Sequence, residues 1–188
     1  FSIEPYIGSS SAQTITNGIN LSGEGGMVWT KRRNGTWYPA IVDTVRGKLK
    51  ILKGSDNDAE SDYVNTAGSE TYASRTFRKA PGFFDIVTWT GNGTAGRTVA
   101  HNLGCVPGMI IVKERGGTED WTVYHRASGS TNKLKLNTTA TAAGTSSWNN
   151  ADPTSTNFQV GTATATNGSS KTYVAYLFAG GESTAATA

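Results

Sequence analysis

An internal repeat constrains this sequence more than any other feature. The segment Gly26-Met27-Val28-Trp29-Thr30-Lys31-Arg32-Arg33-Asn34-Gly35-Thr36 aligns without a gap with Gly108-Met109-Ile110-Ile111-Val112-Lys113-Glu114-Arg115-Gly116-Gly117-Thr118. The offset is 82 residues, and it aligns the two methionines of the chain with each other. Because repeated sequence blocks indicate repeated supersecondary units, we predict two tandem copies of one unit.

Further blocks keep the same order at other offsets. Residues 48–51 align with residues 133–136 at an offset of 85, and residues 71–77 align with residues 172–178 at an offset of 101. Tyr6-Ile7-Gly8 aligns with Trp89-Thr90-Gly91, and Asp43 aligns with His125. The second copy carries an insertion around residues 148–161. We therefore predict a shortened repeat over 1–81, a longer repeat over 82–180, and a linker or frayed terminus over 181–188.

Short apolar segments rich in β-branched residues lie between turn residues and predict an all-β chain. The Asn34-Gly35 pair predicts a two-residue hairpin turn, in which both residues have positive φ, and Gly116-Gly117 is its counterpart. The polar stretches 56–69 and 138–147 are predicted to be loops. The predicted fold is an antiparallel β-sandwich, or two of them, built from the repeats, with no helix longer than about two turns. Strands are predicted at residues 27–33, 37–43, 49–52, 72–78, 83–90, 97–100, 109–115, 121–126, 134–136, 158–161 and 172–178.

Composition narrows the classes of function. The 23 glycines and the low charged fraction of 16% fit short strands joined by tight turns. The single cysteine, Cys105, excludes an intrachain disulfide and is predicted to be a small buried residue. The net charge of +3 is too modest to predict a nucleic-acid partner. We predict that the basic cluster blunts a strand edge; its residues are Lys31, Arg32, Arg33, Arg46, Lys48, Lys50 and Lys53.

Two further expectations concern membranes and the start of the chain. No stretch is apolar enough to span a bilayer, so no membrane insertion is expected. The sequence begins at Phe1 and has no recognisable signal peptide, so we expect a processed chain or a part of a longer protein.

The two histidines do not predict a catalytic site. A hydrolytic triad needs a serine, a histidine and a carboxylate in contact. His101 lies in a tight bend, where its ring can hydrogen-bond the local backbone, and His125 ends a predicted strand as a partly buried polar residue. Two histidines and one cysteine that are scattered along the chain do not make a zinc site.

The remaining polar clusters also have structural interpretations. Residues 56–60 are acidic but lack the spacing of a calcium loop, so a solvated loop is favoured. Gly23-Glu24-Gly25-Gly26 has no following lysine and helix, and it predicts a β-turn. Glu114, Glu119 and Asp120 cluster around a predicted hairpin, where solvation is favoured over a glycosidase pair. We expect no enzymatic activity and no cofactor.

Three tryptophans near predicted turns are the candidate contact residues. An exposed indole ring can stack on a sugar, so Trp37, Trp121 and Trp148 are candidates for contact with a glycan or a protein partner. The alternative is that all three cap the ends of the core. Trp29 and Trp89 lie in the middle of predicted strands and are expected to be core or sheet-face residues.

The repeat blocks resemble repeats in structural proteins of tailed bacteriophages, especially marine phages. The resemblance is carried by residues 71–85, 88–93, 100–104, 107–113, 121–126 and 172–179. The His101-x-Leu103-Gly104-x-x-Pro107 bend before a strand is similar to a recurrent element of phage fibre modules. No catalytic motif is shared by such proteins, and the first repeat lacks the segment equivalent to residues 148–161.

This resemblance implies a virion structural protein, on the virion surface, in a tail fibre or related appendage that attaches to the host. It also implies partners: further copies of the chain, with a trimer favoured, other virion proteins, and a host-surface glycan. The alternatives are a capsid or tail decoration or spacer protein without receptor binding, and a cell-surface filament subunit.

Overall fold

The chain is described by a computed structural model over residues 1–62, 69–140, 143–144 and 146–181. It divides into two compact units: unit 1 is residues 1–56 with 60–79, and unit 2 is residues 57–59 with the chain from Ala80 onward. The change of unit lies beside the predicted repeat boundary at residues 81 and 82. All paired strands in both units are antiparallel. The predicted all-β class, with little helix, is therefore confirmed.

Unit 1 is a six-stranded antiparallel sheet with the order β1-β6-β2-β3-β4-β5. Its apolar core is small, and among the described residues it consists of Met27, Ile41, Ile51 and Leu52. The strands are β1 (Ser2–Ile7), β2 (Gly26–Arg32), β3 (Ala40–Asp43), β4 (Gly47–Lys53), β5 (Ser61–Asp62) and β6 (Thr71–Arg78).

Unit 2 contains a six-stranded sheet with the order β12-β11-β10-β9-β14-β7 and a two-stranded sheet of β8 and β13. The elements are β7 (Phe84–Thr90), β8 (Arg97–Ala100), β9 (Pro107–Glu114), β10 (Thr122–His125), β11 (Asn132–Lys135), β12 (Ala143–Gly144), β13 (Asn157–Val160), α1 (Thr164–Asn167) and β14 (Thr172–Ala179). Side chains from both sheets form one buried cluster, which joins Val99 and Phe158 of the small sheet to Ile110 and Leu177 of the large one. Cys105 is partly buried and packs against this cluster.

The two six-stranded sheets have the same strand order and the same register. In unit 1, Met27 lies opposite Phe77 of β6 and Asp43 of β3. In unit 2, Met109 lies opposite Phe178 of β14 and His125 of β10. These are the residues that the sequence alignment pairs between the two halves. That the units are copies of one ancestral repeat stays a prediction, because a shared register describes structure and not descent.

One predicted alignment differs from the register of the strands. Leu52 lies opposite Ile41 in unit 1, and Leu134 lies opposite Val123 in unit 2. The sheets therefore match Leu52 with Leu134 at an offset of 82, and the predicted offset of 85 for this block is wrong. Lysines alternate along β4 and β11, so their sequences can be aligned at either offset. The pairing of β4 with β3 and of β11 with β10 is compatible only with the offset of 82. The insertion in unit 2 thus follows β12, and it contains Trp148, β13 and α1.

The predicted two-residue turn at Asn34-Gly35 is also wrong. Neither residue has a positive φ, and β3 starts only at Ala40, so residues 33–39 form a longer loop. The matching loop in unit 2 runs from Arg115 to Trp121. Hydrogen bonds from the Lys31 side chain to the loop backbone support this longer connection.

Three short or terminal strands were not predicted. β1 opens the chain, and β5 and β12 lie inside the two stretches predicted to be loops. All of the predicted strands are present, and their ends differ from the prediction by a few residues. Residues 63–68, 141–142, 145 and 182–188, which belong to the predicted loops and terminus, lie outside the described residues.

Candidate binding loop

Two of the three candidate contact tryptophans are buried. Trp121 is 0% and Trp148 is 1% exposed. Trp148 packs edge-on against Tyr124 with ring centroids 5.9 Å apart, and Trp121 stacks on Tyr176 at 6.4 Å. A sugar-stacking platform needs an exposed ring face, so the prediction of a contact role is wrong for Trp121 and Trp148. Both tryptophans instead fill the interior of unit 2.

The third tryptophan, Trp37, lies in the loop over residues 33–39 between β2 and β3, which we call the Trp37 loop. Its side chain is 46% exposed. The adjacent Tyr38 ring is 5.8 Å away at an angle of 37°, and Lys53 Nζ lies 4.8 Å from the centroid of Tyr38. This is a cation–π distance. The loop therefore presents an indole at the surface beside a second ring and an ammonium group.

Side chains from β2 brace the backbone of the Trp37 loop. Lys31 Nζ donates to the carbonyl oxygens of Gly35, at 3.4 Å, and of Trp37. Asn34 Oδ1 accepts hydrogen bonds from Arg32 Nε at 3.2 Å and from the first amide of β6 at 3.3 Å. These bonds fix the loop before any ligand arrives, so less conformational entropy is lost on binding.

The Trp37 loop and the strand that leads into it carry positive charge. Arg33 is exposed, and no carboxylate forms an ion pair with Arg33 or Lys31 among the residues that the structure describes. The hydrogen-bond acceptors of Lys31 are carbonyl oxygens, which leave its charge in place. The loop is therefore suited to an anionic partner.

The loop between β9 and β10 is braced in the same way in unit 2. Lys113 occupies the position of Lys31, and its Nζ donates to the carbonyl oxygens of Gly117 and Glu114, both at 2.9 Å. Gly117 in turn occupies the position of Gly35. A lysine that binds loop carbonyls is therefore a shared feature of the two sheets.

The tips of the two braced loops differ in chemistry. At the offset of 82, Trp37 and Tyr38 correspond to Glu119 and Asp120. Lys135 Nζ lies 2.6 Å from Asp120 Oδ2, and this hydrogen bond is the main reason that the pKa of the Asp120 carboxyl is below its usual value. The same scaffold thus carries an aromatic and cationic tip in unit 1 and an acidic tip in unit 2.

Both histidines bind the local backbone. His101 is buried, its Nδ1 accepts from the amide of Leu103 at 3.3 Å, and its Nε2 lies 3.2 Å from the carbonyl of Thr154. The predicted backbone hydrogen bond of His101 is confirmed. His125 Nδ1 accepts from the amide of Ala127 at 3.2 Å. Desolvation by burial lowers the pKa of His101.

The bend over residues 101–107, between β8 and β9, is tied to β7 by a buried carboxylate. Asp85 Oδ2 accepts from the amide of Asn102 at 2.8 Å, and the carbonyl of Leu103 accepts from the amide of Gly82 at 2.6 Å. The Leu103 side chain is fully buried in the core cluster. Gly104 has a φ of 74°, a conformation that favours glycine. His101, Leu103 and Gly104 therefore each have a structural role in this bend.

The acidic stretch 56–60 contributes to a buried ion cluster in unit 1. Arg46 Nη1 lies 3.0 Å from Glu60 Oε2, and Arg46 Nε lies 2.5 Å from Asp43 Oδ2. The Asp43 and Arg46 side chains are fully buried. Glu60 thus binds an arginine, which differs from the solvated loop that was favoured for this stretch.

The sequence did not point to Asn167, a buried side chain of unit 2 that binds several loops. Asn167 is fully buried, and its Nδ2 donates to Asn92 Oδ1 and to the carbonyls of Thr94 and Gly161, at 3.1, 2.8 and 2.8 Å. Its Oδ1 accepts from the amide of Asn92 at 3.0 Å. The available signal was the Asn-Gly pair at 167–168, but this pair is common in turns.

The described ranges of the chain contain neither a group of metal ligands nor a helix suited to crossing a membrane. In that part of the structure, no three His, Cys, Asp or Glu side chains are grouped so that they could hold a metal ion. The same residues include no helix with the length and apolar character that crossing a membrane requires.

The fold and the loop define a protein of antiparallel sheets that carries one exposed, aromatic and cationic loop. The chain belongs to the family described as a domain of unknown function (DUF7483), which matches residues 63–185. The matched range therefore starts before β6 of unit 1 and extends through β14 of unit 2. No curated protein and no solved structure matches the chain.

Proposed function

We propose that this chain is a structural module of a tailed-bacteriophage particle, in a tail fibre or related appendage on the virion surface that attaches to the host. The observation that carries the proposal is the structural role of the resembling residues. Asn102, Leu103 and Gly104 lie in the bend that connects β8 to β9, and Asp85 of β7 accepts a hydrogen bond from the amide of Asn102 in this bend. A motif that preserves a scaffold fits a module of a particle better than it fits an enzyme.

The construction from a tandem repeat is part of this proposal. In unit 1, Arg32 Nη2 lies 3.3 Å from Glu70 Oε1, and in unit 2, Lys171 Nζ lies 2.9 Å from Glu114 Oε1. The alignment offsets of 82 and 101 place these two ion pairs at the same sites with their charges exchanged. An exchange of both charges keeps an ion pair at a site, as expected for two diverged copies of one unit. Stacking is also shared, because Tyr6 on Tyr72 and Trp89 on Tyr173 have centroids 5.2 Å apart in each unit.

Self-association, with a trimer favoured, is a further part of the proposal. β1 is an edge strand whose side chains Phe1, Ile3 and Ile7 are 55%, 52% and 65% exposed. A row of exposed apolar side chains supports association with another chain. Light scattering should give a mass above that of one chain, and Ile3→Lys should lower it. A monomeric mass for the unmodified protein at working concentration would contradict the oligomer.

Location and competition test the attachment function. Immunogold labelling of intact virions should place the chain on fibres or appendages, and the purified chain should compete with virions for adsorption to host cells. Uniform label over the capsid or tail tube, without competition, would contradict attachment. That outcome would favour the second candidate function, a decoration or spacer protein. The burial of Trp121 and Trp148 supports this candidate, because it removes two of the three candidate contact residues.

A further inference from the structure

We propose that the Trp37 loop binds an acidic polysaccharide, through the indole of Trp37 and the cations Lys31 and Arg33. The proposal rests on the proposed attachment function, because it names the chemical class of the host-surface ligand. It concerns unit 1 alone, and the corresponding loop of unit 2 serves as an internal comparison.

The fold does not require an aromatic tip on this loop. Lys31 and Lys113 make equivalent bonds to the carbonyls of Gly35 and Gly117, so both loops are braced by the same device. Unit 2 has Glu119 at the position of Trp37, and its sheet has the same strand order. The exposure of nearly half of a tryptophan side chain therefore has no structural counterpart in unit 2. A large exposed apolar ring on a braced loop indicates a contact surface.

The positive charges of Lys31 and Arg33, at the start of the Trp37 loop, favour an anionic ligand. The indole face can pack against the apolar C–H face of a sugar ring. The Lys31 ammonium and the Arg33 guanidinium can then bind a carboxylate on the same or the next sugar, and guanidinium groups bind carboxylates through two parallel hydrogen bonds. An acidic tip such as Glu119-Asp120 would repel this ligand. We therefore expect the Trp37 loop of unit 1 to bind polyanions more tightly than the corresponding loop of unit 2, because its charge is opposite to theirs.

The same observations favour a polysaccharide over a nucleic acid. Single-stranded nucleic acids are bound along a basic groove with several stacking rings in succession. The Trp37 loop offers one well-exposed ring and a few cations, and the net charge of the whole chain is +3. One platform with adjacent cations matches a short acidic sugar segment, while it is small for a phosphate backbone.

Binding of defined polymers by the full chain tests the proposal. The probes are polygalacturonate and polysialic acid, with dextran as the neutral polymer and an oligo(dT) strand as the nucleic acid, all measured by calorimetry at two salt concentrations. We expect at least one acidic polysaccharide to bind and dextran not to bind. Trp37→Ala should weaken that binding roughly tenfold or more, as for an aromatic anchor. Arg33→Gln should weaken it and reduce its salt dependence.

Glu119→Ala is the matched control, because it changes the equivalent tip in unit 2 and should leave the affinity unchanged. Circular dichroism of each variant checks that the sheets are intact. Three results would overturn the proposal: neither acidic polysaccharide binds, Trp37→Ala binds them as well as the unmodified chain, or oligo(dT) binds more tightly with the same dependence on Trp37.

Cell-binding measurements separate this proposal from the attachment function. If the chain competes for adsorption and the Trp37→Ala chain competes equally well, attachment stands and the Trp37 loop is not its site. If polysaccharide binding depends on Trp37 while the chain never competes for adsorption, the binding site stands and the attachment function fails.

Discussion

At the scale of single residues, the neutral imidazole of His101 stabilises the bend after β8 through two hydrogen bonds. Nδ1 accepts a hydrogen bond from the amide of Leu103, so the ring proton is on Nε2, which donates to the carbonyl of Thr154. A second proton on Nδ1 would face a donor and would charge a buried ring. Burial therefore lowers the pKa of His101 in the folded protein.

This lowered pKa predicts a loss of stability on mild acidification. An unfolded chain takes up the proton near the ordinary histidine pKa of about 6.5, before the folded chain does. The free energy of unfolding should therefore be constant above this pH and decrease as the pH falls below it, until His101 also titrates in the folded state. Urea unfolding at pH 7.5 and pH 5.5 measures the decrease. His101→Gln should reduce this decrease; an unchanged decrease in His101→Gln would contradict the assignment.

A second residue-scale prediction concerns Asn167. Asn167→Ala removes the hydrogen bonds of a buried side chain to Asn92, Thr94 and Gly161, and it takes a donor away from the buried carbonyl of Gly161. The free energy of unfolding should fall by roughly 2–5 kcal/mol. Asn157→Ala is the control, since its side-chain bond to a neighbouring threonine is exposed and its loss should cost under about 1 kcal/mol. Equal effects of the two substitutions in urea unfolding would show that Asn167 does not organise these loops.

At the scale of elements, Gly91 after β7 packs so closely against Gly168 after α1 that its position has no room for a side chain. Gly91 donates its amide to the carbonyl of Lys171 at 2.7 Å, and a Cβ on Gly91 would lie 2.2 Å from the carbonyl oxygen of Gly168. The indole of Trp89, two residues earlier, donates to the carbonyl of Thr166 at 3.1 Å. Backbone groups on both sides make this contact difficult to relax.

We therefore expect Gly91→Ala to separate β7 from α1 and to lower the free energy of unfolding by roughly 1–3 kcal/mol. The near-UV circular dichroism of Trp89 should change as well, because its hydrogen bond partner lies in α1. Gly116→Ala is the matched control, since no atom lies within 4 Å of its added Cβ. A Gly91→Ala protein that unfolds like Gly116→Ala would show that the contact is readily relaxed.

At the scale of the whole molecule, the two six-stranded sheets share a register but not a core. Tyr173, Ala175 and Leu177 of β14 belong to the buried cluster of unit 2. The corresponding positions of β6 carry Tyr72, Ser74 and Thr76, which are a poor surface for an apolar layer. In the described part of unit 1, no strands correspond to β8 and β13, which complete the cluster in unit 2. The insertion and the apolar sheet face of unit 2 therefore belong together.

This difference predicts unequal local stability. Unit 1 has few buried apolar side chains, so its sheet should open at a lower free energy than the sheet of unit 2. Amide hydrogen exchange followed by mass spectrometry should show faster exchange in β2 and β6 than in their counterparts β9 and β14. Equal protection of the paired strands would mean that the small apolar core of unit 1 does not determine its stability.

The sequence by itself determined most of the strands, and it determined the correspondence of β2, β3 and β6 with β9, β10 and β14. Alternating β-branched and polar residues between turn signals are a local property, so strands such as β7, β9 and β14 could be predicted. The alignment of Met27 with Met109 likewise anticipated equivalent positions in the two sheets. The conformations of residues 33–39 could not be predicted, because side chains of β2 and an amide of β6 brace that loop, and β6 is distant in sequence.

Only the tertiary structure decided which tryptophan is available for contact. Trp37, Trp121 and Trp148 all lie near predicted turns, and local sequence does not separate them. Packing covers Trp148 with Tyr124 and Trp121 with Tyr176, whereas Trp37 projects from a braced loop. Exposure depends on what the rest of the chain places over a ring, and that information resides in long-range contacts and not in the neighbouring residues.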